Sequence, residues 1–136
     1  LIKLYCLHGF YKEKLVSIVK NGEKGQNEIK KIINGYRKKP LDYILESKVK
    51  YFCDYSILLK KNLISGVSEN IILPKSNVIE FESDDGCKII FRPSGTEPKI
   101  KIYISVNEAL SSVNEFEKVD KILNDKIERI IKSIGL

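Results

Sequence analysis

A chain of 136 residues, 43% hydrophobic and 31% charged, is long enough for one domain around a modest core and too apolar for a disordered segment. Its net charge of +6 would suit nucleic acid or an anionic surface, but the lysines are spread along the whole chain, which argues for solvated faces rather than a nucleic-acid partner. No apolar run approaches the length of a membrane span and no signal-peptide pattern opens the chain, so no membrane partner is expected.

Taken in order, Leu1, Ile2, Leu4, Tyr5 and Leu7 read as the last turns of a helix that stops at Gly9. His8, the only histidine, has no carboxylate or serine pattern beside it and reads as a helix-end residue, not a catalytic one. Residues 15–20 form a short β-rich run, and 21–25 a turn. From Gln26 to Arg37, the repeat of Ile29, Ile32, Ile33 and Tyr36 predicts a helix with one buried face, ended by Pro40. Val49, Tyr51, Cys53 and Tyr55 then alternate with Lys48, Lys50, Phe52 and Asp54, which predicts a strand. Residues 56–72 hold apolar side chains without a clean period and read as a loop with partial order.

Residues 77–83 and 87–92 predict a hairpin around Asp84-Asp85-Gly86. A two-residue turn would pair Phe81 with Ile90 and mix the two faces. A three-residue loop with Gly86 in the left-handed region pairs Phe81 with Ile89 and Ile79 with Phe91, and keeps one face apolar. Ile100, Ile102, Ile104 and Val106 make the next strand. Val113, Phe116, Val119, Leu123, Ile127, Ile130 and Ile134 share one stripe of a last helix. This order predicts an α+β fold: a mainly antiparallel sheet of about four to five strands with two helices packed on one face. Cys6, Cys53 and Cys87 are far apart and odd in number, with no C-x-x-C pair. Zinc and disulfide frameworks are therefore not expected, and the reduced thiols of a cytoplasmic protein are. The absence of any methionine predicts a fragment of a longer protein.

Between the last two predicted strands lies Arg92-Pro93-Ser94-Gly95-Thr96-Glu97-Pro98-Lys99. Arg92 offers a planar fork of donors that fits two phosphate oxygens. Ser94 and Thr96 add hydroxyls, and their backbone N–H groups could converge on the same anion. Gly95 permits the positive φ that a nest of amides requires. Pro93 and Pro98 fix φ on either side, and Lys99 adds a second positive charge. Glu97 cannot favour a phosphate; orienting Arg92 or Lys99, or capping backbone amides, suits it better.

The string R-P-S-G-T-E-P-K-I-K-I-Y resembles the phosphate-binding loop of the C-terminal domain of the α-D-phosphohexomutases, the phosphoglucomutase, phosphomannomutase and phosphopentomutase enzymes. The likeness extends upstream. Gly25, Ile29, Ile32 and Pro40, then Asp54-Tyr55, then Leu73-Pro74-Lys75-Ser76-Asn77-Val78 fall in the order of that domain's motifs. The K-I-K-I-Y ending looks more like the phosphoglucomutase and phosphopentomutase types than the phosphoglucosamine type.

The resemblance implies a fold like the TATA-box-binding protein, with residues 1–12 as the end of a preceding domain and linker and 13–136 as the C-terminal domain. It implies a parent enzyme that moves a phosphoryl group within a sugar phosphate through a phosphoserine. Mg²⁺ and a glucose 1,6-bisphosphate-type activator would serve that enzyme. The phosphoserine and the metal-binding aspartates belong to other domains, so no catalytic or metal residue is expected in this chain, and alone it should be inactive. Its partners would be a phosphosugar and the remaining domains. Arg92, Ser94, Gly95, Thr96 and Lys99 match the residues that hold the phosphate not being transferred. Two other readings stay open: a stand-alone phosphate- or nucleotide-binding module, and a small basic nucleic-acid-binding domain built on Lys50-Tyr51-Phe52.

Overall fold

Strict alternation in three adjacent strands builds the centre of the molecule. The computed structural model describes residues 10–108 and 116–134. In β6 (Ile79–Ser83), β7 (Lys88–Pro93) and β8 (Lys99–Glu108), Ile79, Phe81, Ile89, Phe91, Ile100, Ile102, Ile104 and Val106 are all buried on one face. The residues between them look the other way. The register matches the three-residue loop: Phe81 pairs with Ile89 and Ile79 with Phe91. Ser83 N–H donates to the Cys87 carbonyl at 2.8 Å, and Gly86 has φ +89°. A Cβ on Gly86 would also lie 2.8 Å from Asn107 Nδ2. Gly86→Ala is therefore expected to cost about 1–2 kcal/mol, read as a lowered denaturant midpoint with an unchanged slope.

The other strands extend this sheet to β1 (Phe10–Val19) on one side and to β3 (Ser47–Asp54), β4 (Leu59–Asn62) and β5 (Ser68–Asn70) on the other. The spatial order is β1-β8-β7-β6-β3-β4-β5, with the two-residue β2 (Tyr43–Ile44) pairing β3, and every pairing is antiparallel. Among the described residues the sheet thus has eight strands, more than the sequence pattern predicts. The added strands come mostly from the segment 56–72. β5 is Ser-Glu-Asn with every residue exposed, so the backbone ladder alone holds it and no buried face leaves a period to read.

Helix α1 (Gly22–Lys38) and helix α2 (Phe116–Ile134) cover one face of the sheet. Ile29 and Ile33 of α1, and Val119, Leu123, Ile127 and Ile130 of α2, join the sheet's buried side chains in one core. Tyr36 lies 5.0 Å, centroid to centroid, from Phe91. Lys12 pairs with Asp120 at 2.8 Å, and Lys126 reaches Glu108 at 2.9 Å, tying α2 to both strands beneath it.

Three expectations need correction. α1 begins at Gly22, not Gln26, because the glycines that read as turn punctuation lie in its first turn. β1 starts at Phe10, earlier than the β-rich run at 15–20. In β1, Val16 and Ile18 pack on the core, while Leu15 and Val19 remain exposed on the opposite face. In β3 the predicted phase breaks at a bulge between Val49 and Tyr51. Val49 and Phe52 both enter the core, Phe52 stacking on Phe81 at 5.0 Å, while Tyr51 does not. The predicted helix end at 1–8, with Cys6 and His8, lies outside the described residues, as does Val113. Among the described residues no helix is long and apolar enough to cross a membrane.

Candidate functional site

The turn from β7 to β8 places the loop at one end of the sheet. Arg92 of β7 and Lys101 of β8 are cross-strand partners, and Lys99 precedes Lys101 by one strand repeat. Because Phe91, Ile100 and Ile102 face the helices, these three cations share the open face. With Ser94, Gly95 and Glu97 they line a cavity of about 360 Å³. Among the described residues none of the three enters an ion pair. The concavity is polar, cationic and open, which suits an anion that arrives hydrated.

Lys101 is the residue that reading the loop alone misses. The hairpin register places it directly opposite Arg92, and alternation places it on the face of Lys99.

The loop's internal bonds differ from the predicted nest of amides. Ser94 N–H donates to the Lys99 carbonyl at 2.8 Å. The amides of Thr96 and Glu97 donate to Ser94 Oγ at 3.4 and 3.2 Å. Ser94 therefore folds the loop around its own hydroxyl, and the two amides expected to converge on an anion, those of Ser94 and Thr96, are both turned inward. Gly95 is not among the glycines with positive φ, and a Cβ there would meet nothing within 4 Å. The positive φ expected of Gly95 is thus absent; the turn closes through the serine instead. Gly95→Val is accordingly expected to leave the fold unchanged, with a thermal midpoint equal to that of the natural chain. Thr96 lines neither cavity beside the loop, and Glu97 contributes backbone bonds but no ion pair to Arg92 or Lys99.

A second, smaller cavity of about 100 Å³ lies on the helix side of the loop. Gln26, Lys30 and Asn77 line one wall, and Ser94 and Gly95 the other. Farther along the open face, a broader concavity of about 610 Å³ has Leu15, Ile90 and Tyr103 among its lining residues. Its lining balances Glu13 and Glu80 against Lys14 and Lys88, whereas the loop cavity sets three cations against Glu97 alone.

The curated relatives that align with this chain are phosphoglucomutases. Phosphoglucomutase of Staphylococcus saprophyticus is 33% identical over 114 residues, which are 84% of this chain and 19% of that protein. That of Staphylococcus haemolyticus is 37% identical over 113 residues, 83% and 20% of the two chains. That of Staphylococcus aureus is 38% identical over 104 residues, 76% and 19%. The chain is a phosphohexomutase domain. It spans about a fifth of the length of the curated relatives it matches. No family model matches it. A crystal structure of the Paramecium exocytosis-sensitive phosphoprotein pp63/parafusin, a phosphoglucomutase in its open form, overlaps 98% of the domain and 22% of that chain at 16% identity and a TM-score of 0.47.

Among the domain's described residues, no group of three or more His, Cys, Asp or Glu side chains could hold a metal ion. The described thiols are poor nucleophiles. Burial, with Glu80 beside it, pushes Cys53 from 9.0 up to about 12, and burial raises Cys87 as well. Both are free. The folded state keeps the Cys53 proton that the unfolded chain loses near pH 9, so stability is full below about pH 9 and falls as pH rises towards about 12. Denaturant midpoints taken across that window should decline, and Cys53→Val should flatten the decline.

Of the pair Tyr51 and Phe52, only Tyr51 is partly exposed. Phe52 is in the core, and Lys60 Nζ sits 4.2 Å from the Tyr51 ring centroid.

Proposed function

We propose that this domain is the C-terminal wall of the active site of a phosphoglucomutase-type enzyme, and that its loop grips the phosphate not being transferred. The observation that carries this reading is the convergence of Arg92, Lys99 and Lys101 with Ser94 and Gly95 on one cavity at the β7–β8 turn. Arg92 would take two phosphate oxygens through its fork, and the two lysines would neutralise the remaining charge. Ser94 would hold the loop's shape and donate from its hydroxyl, while Thr96 would reach the phosphate only if the loop closed upon it.

A grip on a remote phosphate helps a reaction elsewhere on the sugar. Its binding energy orients the reacting hydroxyl, and closure of the domain excludes the water that would hydrolyse a phosphoenzyme. Mg²⁺, which supplies charge neutralisation during phosphoryl transfer, would be held by other domains of the parent, as would the phosphoserine. The bisphosphorylated activator would use the same grip. The parent would work in the cytoplasm with a phosphosugar substrate.

Titration of the domain with glucose 6-phosphate, followed by amide NMR shifts, tests the reading. Saturable shifts confined to residues 92–101, with a midpoint of about a millimolar, are expected, and glucose should give none. Glucose 6-phosphate that moves no loop amide would sink the proposal.

A further inference from the structure

The loop is braced from behind by two contacts that the phosphate reading does not use. Lys20, directly after β1, donates its backbone N–H to the Pro98 carbonyl at 2.7 Å. Gln26 Nε2 donates to the Thr96 carbonyl at 3.3 Å. Between these two anchors stands Gly25, buried in the first turn of α1. A Cβ on Gly25 would lie 2.6 Å from both the carbonyl carbon and the oxygen of Lys20. That obstacle is backbone, which cannot swing aside as the end of a flexible side chain does. The first turn of α1 therefore rests directly on the peptide that holds the end of the loop. The Lys20 ammonium adds a pairing with Glu28, one turn farther along α1, at 3.6 Å.

We infer that Gly25 and Gln26 are positioning residues for the phosphate loop, setting its height above the cations of β7 and β8. The inference rests on the phosphate reading above. Arg92 and Lys101 are fixed by the sheet ladder, whereas Ser94 and Gly95 belong to the turn beyond it. An anion held by both sets needs their separation fixed within a few tenths of an ångström, because hydrogen bonds weaken steeply outside their preferred geometry. Within the turn, the bonds around Ser94, the Lys99–Glu97 backbone bond and the fixed φ of Pro93 and Pro98 provide part of the stiffness. The contact of Gly25 with Lys20, and the reach of Gln26 to Thr96, add to it from the helix.

The test uses the full-length parent enzyme, with inorganic phosphate as a competitive inhibitor against the sugar phosphate. Gln26→Leu removes the donor at a partly exposed position. It should raise both the phosphate inhibition constant and KM about three- to tenfold, with kcat within about twofold and an unchanged thermal midpoint. Gln26→Lys, which keeps a donor of similar reach, should return both constants to within about twofold. Gly25→Ala should show the larger rise, together with faster deuterium exchange of the Lys20 amide while the amides of β8 stay protected. If Gly25→Ala does not fold, Gln26→Leu and its lysine rescue decide alone. Arg92→Ala is the control. If it weakens phosphate inhibition and Gln26→Leu does not, the bracing is overturned and the phosphate reading stands. If neither variant weakens inhibition, the phosphate reading falls and takes the bracing with it.

Discussion

Arg92→Ala in the parent enzyme is expected to lower kcat/KM for the sugar phosphate by about ten- to a hundredfold while the protein stays folded. Arg92 carries the only guanidinium on the loop cavity, and its side chain is exposed at the end of β7, so removing it opens no hole in the core. Losing a charge-assisted pair to phosphate costs about 1.5–3 kcal/mol, which converts to that range of rate. Arg92→Lys should recover only part, because a point charge cannot reproduce the fork. Ser94→Ala should cost on the order of 1 kcal/mol, since it removes both a donor and the acceptor that folds the turn. Thr96→Val should cost less, as Thr96 lines neither cavity. Steady-state kinetics beside a thermal melt decide the matter. An Arg92→Ala enzyme that melts normally and turns over at the natural kcat/KM would show that the loop is no phosphate site.

Much of the sheet was legible because burial on a single face leaves a period of two. Ile79 and Phe81, Ile89 and Phe91, and the run from Ile100 to Val106 each alternate without interruption, and the hairpin register followed from keeping that face intact. Legibility ended where the physical cause of the pattern ended. At β3 one inserted residue, Lys50, shifts the phase, so Phe52 rather than Tyr51 reaches the core. At β4 and β5 the strands bury almost nothing, and backbone pairing writes no side-chain code. At the start of α1, propensity says turn, but Gly25 is required by the close approach of the Lys20 peptide. Tertiary contact overrides a local preference there.

The loop's composition was legible as anion chemistry, but its internal geometry was not. Ser94, Gly95 and Thr96 admit either a nest of free amides or a turn closed on the serine hydroxyl, and the same residue types favour both. The choice depends on the Ser94–Lys99 backbone bond, which exists only once β7 and β8 are paired. Lys101 likewise becomes part of the site only through the register that sets it opposite Arg92.

Arg37→Met is expected to lower stability by about 3 kcal/mol, on the order of 10 °C in the thermal midpoint. Arg37, in the last turn of α1, donates from Nε to both oxygens of Asp54 at 3.3 and 3.2 Å, and from Nη2 to Asn77 Oδ1 at 2.6 Å. Asp54 is 8% exposed and also accepts from the Ser56 amide at 3.0 Å and the Ser56 hydroxyl at 2.7 Å. Met fills much the same space but leaves the carboxylate buried beside two donors instead of a full counter-charge. That uncompensated charge, more than the lost attraction, sets the cost. Asp54→Asn in the same chain should therefore restore a good part of the loss, because the amide oxygen still serves Ser56 and no charge remains to be countered. The solvent-exposed Lys14–Glu128 pair supplies the contrast: Lys14→Met should change the midpoint little. Because Arg37 also holds Asn77, which lines the cavity behind the loop, Arg37→Met should loosen the segment leading into β6. A midpoint for Arg37→Met no lower than that for Lys14→Met would show that the pair is not the clamp between α1 and β3.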